Sequence, residues 1–444
     1  MQLPQPISQC IRMLEDAGFA AYAVGGCVRD DRMGIVPHDY DLCTSALPEQ
    51  TEAVFSGFAQ VHAGVKHGTV GVVTDFGVVE ITTFRSEGTY ADNRHPDWVD
   101  FVTDIEKDLS RRDFTMNAMA WSPTRGYADP FGGAKDIENG ILRAVGDPDA
   151  RFREDSLRIL RGIRFAARFR LTIEAETERA MRAQAPLMQN LARERVYGEL
   201  CGFLTKAAAQ DLIRFAPILT QVISELAPMV GFDQHSPHHA YDVYTHTAHV
   251  LEAVPEDPVL RWAALLHDVG KVPTFTRDET GRGHFYGHAR KSAEMAEAIL
   301  HRLKAPNAVT EQVVWLIDHH MLRLTPDRKL LRRYLSRYGR ERLYRLISLQ
   351  EADMGSKGTG EHQADAYFAP IRQLLEALEA EEGCLSLKTL AVNGNDLKAM
   401  GLEGRQIGAC LQQLLEQVLE ETLPNNREAL LQAAEAMAEQ VENE

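Results

Sequence analysis

The stretch "VGGCVRDDRMGIVPHDYDL", residues 24–42, sets the adjacent glycines Gly25 and Gly26 ahead of two aspartates, Asp39 and Asp41, which alternate with Tyr40 and Leu42. On a strand, residues two apart face the same side, so the alternation predicts a short strand whose two carboxylates converge on one point. Converging carboxylates repel unless a cation sits between them, and Mg²⁺ is the usual cation where phosphates are handled. An isolated Asp-x-Asp is more often a solvated strand edge, and the glycines shift that balance. Lacking Cβ atoms, Gly25 and Gly26 let the backbone approach a phosphate, and Arg29, three residues on, is placed to clamp a phosphate oxygen. The stretch therefore predicts a triphosphate seat beside metals that polarise an α-phosphate and activate an attacking hydroxyl.

Outward from this stretch, "AAYAVGG" and "YDLCTSA" predict short strands, and "GTVGVVTDFGVVEITTF" predicts a hairpin turning at Asp75, Phe76 and Gly77. The first residues, with Ile7, Ile11 and Leu14 at helical spacing, predict an amphipathic helix rather than a signal peptide. From about residue 152 the spacing is helical almost throughout. The expected fold class is α+β: a head with a small mixed sheet, then an all-α body and tail. At 444 residues the chain exceeds one ordinary core. The expected segments are a head (1–145), an arginine-rich helical neck (146–225), a His-rich helical domain (226–360) and an acidic helical tail (361–444).

No apolar run is long enough to span a bilayer, so no membrane partner and a cytoplasmic location are expected. The six cysteines form no Cys-x-x-Cys pair, which argues against a disulfide framework or a thiolate zinc site. The net charge of -16 argues at first against nucleic acid, but the distribution matters more. Residues 151–170 hold seven arginines against two acids, whereas residues 371–444 hold five basic and fourteen acidic residues. An acidic tail is compatible with a basic cleft for RNA.

"GGCVRD" followed by "HDYDL" resembles the head motif of class II nucleotidyltransferases of the polymerase β superfamily, which comprise bacterial tRNA CCA-adding enzymes and poly(A) polymerases. Further motifs of that family follow in order: "KHGTVGVV", "VEITTF", "DLSRRDFTMNAMA", "DPFGGAKDI", "RFREDSLRILRGIRFAARF" and "ARERVYGEL". The tail stretch "LAVNGNDLKAMGL" is similar to that of the Bacillus-type enzymes. The resemblance covers residues 15–225 strongly and the tail moderately, and it implies a polymerase β-like head. It further implies addition of CCA to the 3' end of tRNA from CTP and ATP, with release of pyrophosphate and with Mg²⁺ on Asp39 and Asp41 as the catalytic pair. The stretch "RSEGTYADNRHPDW", 85–98, resembles the flexible loop retained by members that add the final A.

In "REDSLRILRGIRF", Asp155 and Arg158 are three apart on a predicted helix, so they lie side by side. The aspartate accepts hydrogen bonds and the arginine donates them. Cytosine and adenine present an amino donor beside a ring-nitrogen acceptor, and uracil and guanine present the reverse, so the pair suits CTP and ATP. By resemblance, Arg161, Arg164 and Arg112 also contact the nucleotide, and Asp113 its ribose. Glu80 is as readily a solvent-facing strand residue as a third carboxylate.

"YTHTAHV", "LLHDVGK", "YGHARKSAE", "LIDHHM" and "LQEADMG" place histidines and aspartates on successive predicted helices. They resemble the HD phosphohydrolase superfamily, which implies a divalent metal (Mg, Mn, Ni or similar) on His246, His267, Asp268 and Asp353, with His288 and His319 completing a binuclear site. The implied activity is hydrolysis of phosphoesters at RNA ends. A poly(A) polymerase, needing no CTP, is the close rival; an HD phosphohydrolase with a nucleotide-binding head, and an RNA-binding protein with a degenerate head, are the others.

Overall fold

The computed structural model of the chain describes residues 1–442 except 66–67, 88–98, 237–239, 359–360 and 381–385. Residues 88–98, the greater part of the loop that resembles the family's flexible element, thus lie outside the described residues, as do Lys66 and His67 of "KHGTVGVV". The chain forms two compact units: Met1–Ala227 with Arg302–Ala305, and Pro228–His301 with Pro306–Glu444.

The first unit opens with α1 (Gln5–Asp16), which buries Ile7, Cys10, Ile11 and Leu14 along one face. There follow β1 (Ala21–Val24), α2 (Gly26–Arg32), β2 (Asp41–Thr44), α3 (Pro48–Val54), β3 (Gln60–Val61), β4 (Thr69–Thr74) and β5 (Gly77–Thr83). A two-stranded ribbon of β6 (Arg85–Glu87) and β7 (Val99–Phe101), then α4 (Ile105–Ser110), β8 (Ala120–Ser122) and β9 (Gly126–Ala128), complete the head. Seven strands form one sheet in the order β3-β4-β5-β2-β1-β8-β9. Only β2 and β5 run parallel, which makes the sheet mixed. The β4–β5 hairpin pairs Thr69 with Thr82 through to Thr74 with Gly77, the turn falling where the sequence places it.

Both faces of the sheet centre are covered. Ala21, Ala23 and Leu42 pack with Ile11, Leu14 and Val72, while Tyr22, Val24 and Cys43 pack with Phe84, Leu109 and Val145. This alternation between two cores explains why β1 reads as a continuous apolar run.

Two expectations are corrected here. Asp39 and Asp41 do not share a strand: β2 begins at Asp41, and Asp39 lies in the loop before it. The reason lies in the partner, because Asp41 pairs with Val24, the last residue of β1, and the chain then turns away at Gly25. Nor do Asp155 and Arg158 share a helix. After α5 (Gly133–Glu138) and β10 (Ile141–Leu142), the arginine-rich run divides into α6 (Pro148–Glu154) and α7 (Leu157–Phe169). Asp155 is extended between them, and its Oδ1 accepts from Leu157 N at 3.0 Å, turning the side chain into a local stop. β11 (Thr172–Ile173), α8 (Ala175–Gln184), α9 (Arg193–Lys206) and α10 (Ala209–Val222) finish the unit.

The second unit contains α11 (Val243–Ala253), α12 (Pro258–Leu266), the short strands β12 (Thr276–Arg277) and β13 (Gly283–His284), α13 (His288–Arg302), α14 (Asn307–His319), α15 (Arg328–Tyr338) and α16 (Arg340–Gly355). It continues with α17 (Glu361–Ala380), α18 (Gly394–Ala399), α19 (Arg405–Leu419) and α20 (Arg427–Glu442). Asp257 caps α12 by accepting from Val259 N and Leu260 N, and every residue from Val259 to Leu266 is buried. Leu331, Leu343, Ile347 and Phe368 anchor a core of α15–α17, and Leu397, Leu414, Val418 and Leu430 a separate core of the tail. The four segments expected from sequence are finer than these two units; the boundary between the units falls beside the expected end of the neck.

Candidate functional site

A cleft of about 360 Å³ lies in the first unit, lined by Gly25, Gly26, Arg29, Asp41, Arg111, Arg112, Asp113, Asn117, Asp155, Arg158, Arg161, Phe165 and Arg195. Nine of these are residues the sequence singled out; Asp39 and Arg164 are not in the lining. Gly25 ends β1 at φ +75°, and a Cβ there would lie 2.9 Å from Arg112 Nη1. Glycine therefore both turns the chain and leaves room for the guanidinium. Gly25→Ala is expected to cost about 1–2 kcal/mol in backbone strain and to displace Arg112. Titration of a nucleoside triphosphate should show affinity reduced about tenfold, with thermal melting as the control for folding; unchanged affinity would remove Arg112 from the binding groups.

Arg29 is buried. Its Nη1 donates to Asn117 Oδ1 at 2.7 Å, its Nε and Nη2 donate to Asp30 Oδ1 at 2.8 and 2.7 Å, and its guanidinium lies 5.3 and 4.8 Å from the ring centres of Phe165 and Phe169. It thus ties α2 to α7. Asp113 is held by Asn117 Nδ2 at 3.0 Å and by Arg161 Nε at 2.8 Å. Burial opposes its ionisation, but Arg161 and Asn117 outweigh that and keep its carboxyl below the usual range. Arg158 donates to Glu154 at 2.8 Å and to the Arg111 carbonyl at 2.9 Å. Arg164 instead donates to Glu199 at 2.6 Å and stacks 4.4 Å from the Phe165 ring centre.

Three further residues lie inside the motifs "ARERVYGEL", "DLSRRDFTMNAMA" and "VEITTF" without a role assigned from the sequence. Arg195 of α9 donates to Asp155 Oδ2 at 2.9 Å and fixes that carboxylate at the cleft. Asn117 bridges Arg29 and Asp113. Glu80, on β5 beside β2, acts on Asp41: burial raises the Asp41 pKa, Arg112 opposes, and Glu80 and Asp39 push it further up. The only sign of this in sequence is the alternation in "VVEITTF", which leaves open which side Glu80 faces.

The second site lies in the second unit, where α11, α12, α13, α14 and α16 bring polar ends together. His246, His267 and Asp268 form one group with potential ligand atoms within 4.8 Å of one another, and Asp268, His288 and His320 form another. Asp268 belongs to both. Asp353 Oδ1 lies 3.0 Å from His246 Nε2. Each imidazole is oriented from behind: Nδ1 of His246, His267, His288 and His320 donates to the carbonyl of Ser356, Ala264, Phe285 and Ile317 respectively. That leaves every Nε2 turned inward, toward the carboxylates and the other rings. Inside, His288 Nε2 is 3.3 Å from His320 Nε2, and His267 Nε2 is 3.2 Å from Asp268 Oδ2; burial opposes the His267 charge, but Asp268 and Asp353 outweigh it and raise its pKa. Burial, with His267 alongside, pushes the His320 pKa down to about 4, so that ring is neutral at pH 7.

Burial works against the Asp268 charge, but His267, Lys271 and His246 hold its carboxyl well below the usual carboxylate range. Although Lys271 Nζ is 2.7 Å from Asp268 Oδ2, that oxygen and His267 Nε2 are buried without an aligned hydrogen bond. Gly270 permits the close approach behind them, since a Cβ there would lie 2.5 Å from Ser292 N. One expectation is corrected: the sixth member is His320, not His319. Neighbouring residues on a helix differ by about 100° in direction, and His319 faces Trp315 and Tyr338 instead.

Among family models, residues 21–143 match the poly A polymerase head domain, residues 170–215 the probable RNA and SrmB-binding site of polymerase A, and residues 238–354 the HD domain. The chain is 40% identical over 242 residues to the CCA-adding enzyme of Ligilactobacillus salivarius (strain UCC118), covering 52% of this chain and 59% of that one. That match spans little more than half of the relative's length. It is 33% identical over 434 residues to the CCA-adding enzyme of Streptococcus mutans serotype c, covering 97% of each. The solved structure of the Bacillus stearothermophilus CCA-adding enzyme in complex with CTP superposes with a TM-score of 0.72 at 28% identity, covering 100% of both chains.

Proposed function

The chain belongs to the family of CCA-adding enzymes, and from that premise we propose that it adds CCA to the 3' end of tRNA in the cytoplasm, using CTP and ATP. The observation that carries this reading is the single cleft in which Asp41, Arg112, Asp113, Asp155, Arg158 and Arg161 meet.

The donor set fits Mg²⁺: Asp41 is an oxygen ligand whose ionisation is opposed by burial, Glu80 and Asp39, a conflict that a cation relieves. Asp39 and Asp41 would hold it. When bound, Mg²⁺ neutralises phosphate charge and lowers the pKa of the attacking 3'-hydroxyl. Arg112 and Arg161 supply fixed positive charge to the triphosphate. Asp113 is the acceptor for a ribose hydroxyl. Asp155, steadied by Arg195, accepts from the exocyclic amine of cytosine or adenine, and Arg158 donates to the adjacent ring nitrogen. The 3'-oxygen forms a bond to the α-phosphorus, and pyrophosphate leaves with the electron pair of the broken bond. The neck and tail helices hold the tRNA through shape and backbone contacts.

For the second unit we propose a metal-dependent phosphohydrolase acting at RNA ends. Four inward Nε2 atoms converging with the carboxylates of Asp268 and Asp353 form a nitrogen and oxygen donor set that fits divalent cations such as Mg²⁺, Mn²⁺ or Ni²⁺. His246, His267, Asp268, His288, His320 and Asp353 would hold them. When bound, the metal supplies a water of lowered pKa and a Lewis acid for the phosphoryl oxygens.

The test is a tRNA transcript lacking its last three nucleotides, incubated with Mg²⁺ and CTP, ATP or both. Two added residues with CTP alone and three with both nucleotides are expected. Open-ended addition of A would replace this reading with a poly(A) polymerase, and no addition would overturn it.

A further inference from the structure

Apart from these two sites, the second unit has a pocket of about 560 Å³ whose walls include Arg290, His301, Trp315, Asp318, His319 and Arg342. Part of its wall is an aromatic stack. Trp315 and His319, one turn apart on α14, lie 4.3 Å apart with 19° between ring planes, and Tyr338 of α15 closes on them at 5.0 and 5.5 Å. His319 Nδ1 donates to the Trp315 carbonyl at 2.9 Å, which fixes the imidazole on the indole. The Arg342 guanidinium lies 5.5 Å from the indole centre and makes no ion pair among the described residues.

An i, i+4 aromatic pair on a helix needs no ligand by itself. The surroundings of this pair do point to one. Of the eight lysines and arginines in residues 328–345, Arg342 lines the pocket, whereas Arg328, Arg332, Arg333, Arg340 and Arg345 are engaged by carboxylates elsewhere. Asp318 is 3.7 Å from Arg290, which also lies 3.4 Å from Glu294, and Glu297 and Glu311 are the other carboxylates of the wall. The pocket shares two helices with the metal set: His319 precedes His320, and Arg290 follows His288 by two residues. Cα atoms of successive residues are only about 3.8 Å apart.

We infer that this pocket holds the nucleoside of the RNA end whose phosphoester enters the second site. The base stacks on Trp315 and His319, and Arg290 and Arg342 draw in the phosphate. Stacking on aromatic side chains is tolerant of base identity, which suits a terminal nucleotide. Identifying the ester as the hydrolysed one rests on the phosphohydrolase reading above; the binding itself does not.

The probe is adenosine 2',3'-cyclic phosphate, titrated into the full chain without metal while tryptophan emission is read. Quenching that is lost in Trp315→Phe is expected; no quenching, or quenching unchanged in that variant, overturns the inference. With Mn²⁺ added, His319→Ala should raise KM for hydrolysis of the cyclic nucleotide at least about tenfold and leave bis(p-nitrophenyl) phosphate, which has no base, within about twofold. Equal effects on both substrates would also overturn it. If the wild type hydrolyses neither, the phosphohydrolase reading fails while the titration still decides the pocket.

Discussion

Asp41→Asn is expected to reduce addition of CMP and AMP to tRNA by about a thousandfold or more, as removal of a ligand charge from a site of phosphoryl transfer costs several kcal/mol of transition-state stabilisation. The substitution keeps shape and removes charge. The unmodified carboxyl is costly: its folded pKa lies above the ordinary value because of burial, with Glu80 and Asp39 adding. A carboxyl of that kind binds its proton more tightly in the folded state, so at neutral pH its charge lowers stability, and the penalty fades as pH falls through the raised pKa. Asp41→Asn should therefore melt at the same or a higher temperature while losing activity. Single-turnover incorporation into a tRNA ending before CCA, together with a melting curve, checks both parts. Activity within tenfold of wild type would remove Asp41 from the chemistry.

The second large effect lies at Asp268. Replacing it by alanine is expected to abolish metal-dependent hydrolysis, by roughly a thousandfold or more, while tRNA addition stays within about twofold. Stability should also fall. Lys271 is buried, and besides Asp268 its ammonium has Gln234 Oε1 at 2.9 Å. Breaking a buried pair from one side typically costs about 3–5 kcal/mol. Adding Lys271→Met removes the stranded charge and should recover part of the melting temperature with no recovery of hydrolysis. That combination separates structural damage from loss of the site, and loss of both activities in the double variant would sink the idea of two independent centres.

Much of the head was legible because its determinants are local. The β4–β5 hairpin follows from two alternating runs around a short turn, and α1 from apolar residues at helical spacing. The cleft residues announced themselves through ordered motifs, and most of them meet in the structure. What failed depended on where a partner ends or which way a helix faces. Asp39 is off the strand because β1 stops at Val24, a fact about another segment. Asp155 breaks its helix because its carboxylate prefers the backbone of Leu157. His319 and His320 are indistinguishable as letters, and the rotation of α14 alone decides which one faces Asp268. Arg195 and Glu80 gain their meaning from long-range approach, of α9 to the junction of α6 and α7 and of β5 to β2.

Arg29 has a further consequence. One guanidinium braces the glycine turn through Asp30 and Asn117 and rests on Phe165 and Phe169 of the helix that carries Arg158 and Arg161. The end of the cleft suited to phosphates and the end suited to bases are thereby held at a set span, like the jaws of a caliper locked by one screw. On the proposed function, a cleft so braced measures length as well as hydrogen-bond pattern, and a small pyrimidine and a larger purine would then be accommodated by movement of the ligand or the RNA end, with the jaws kept at the same gap.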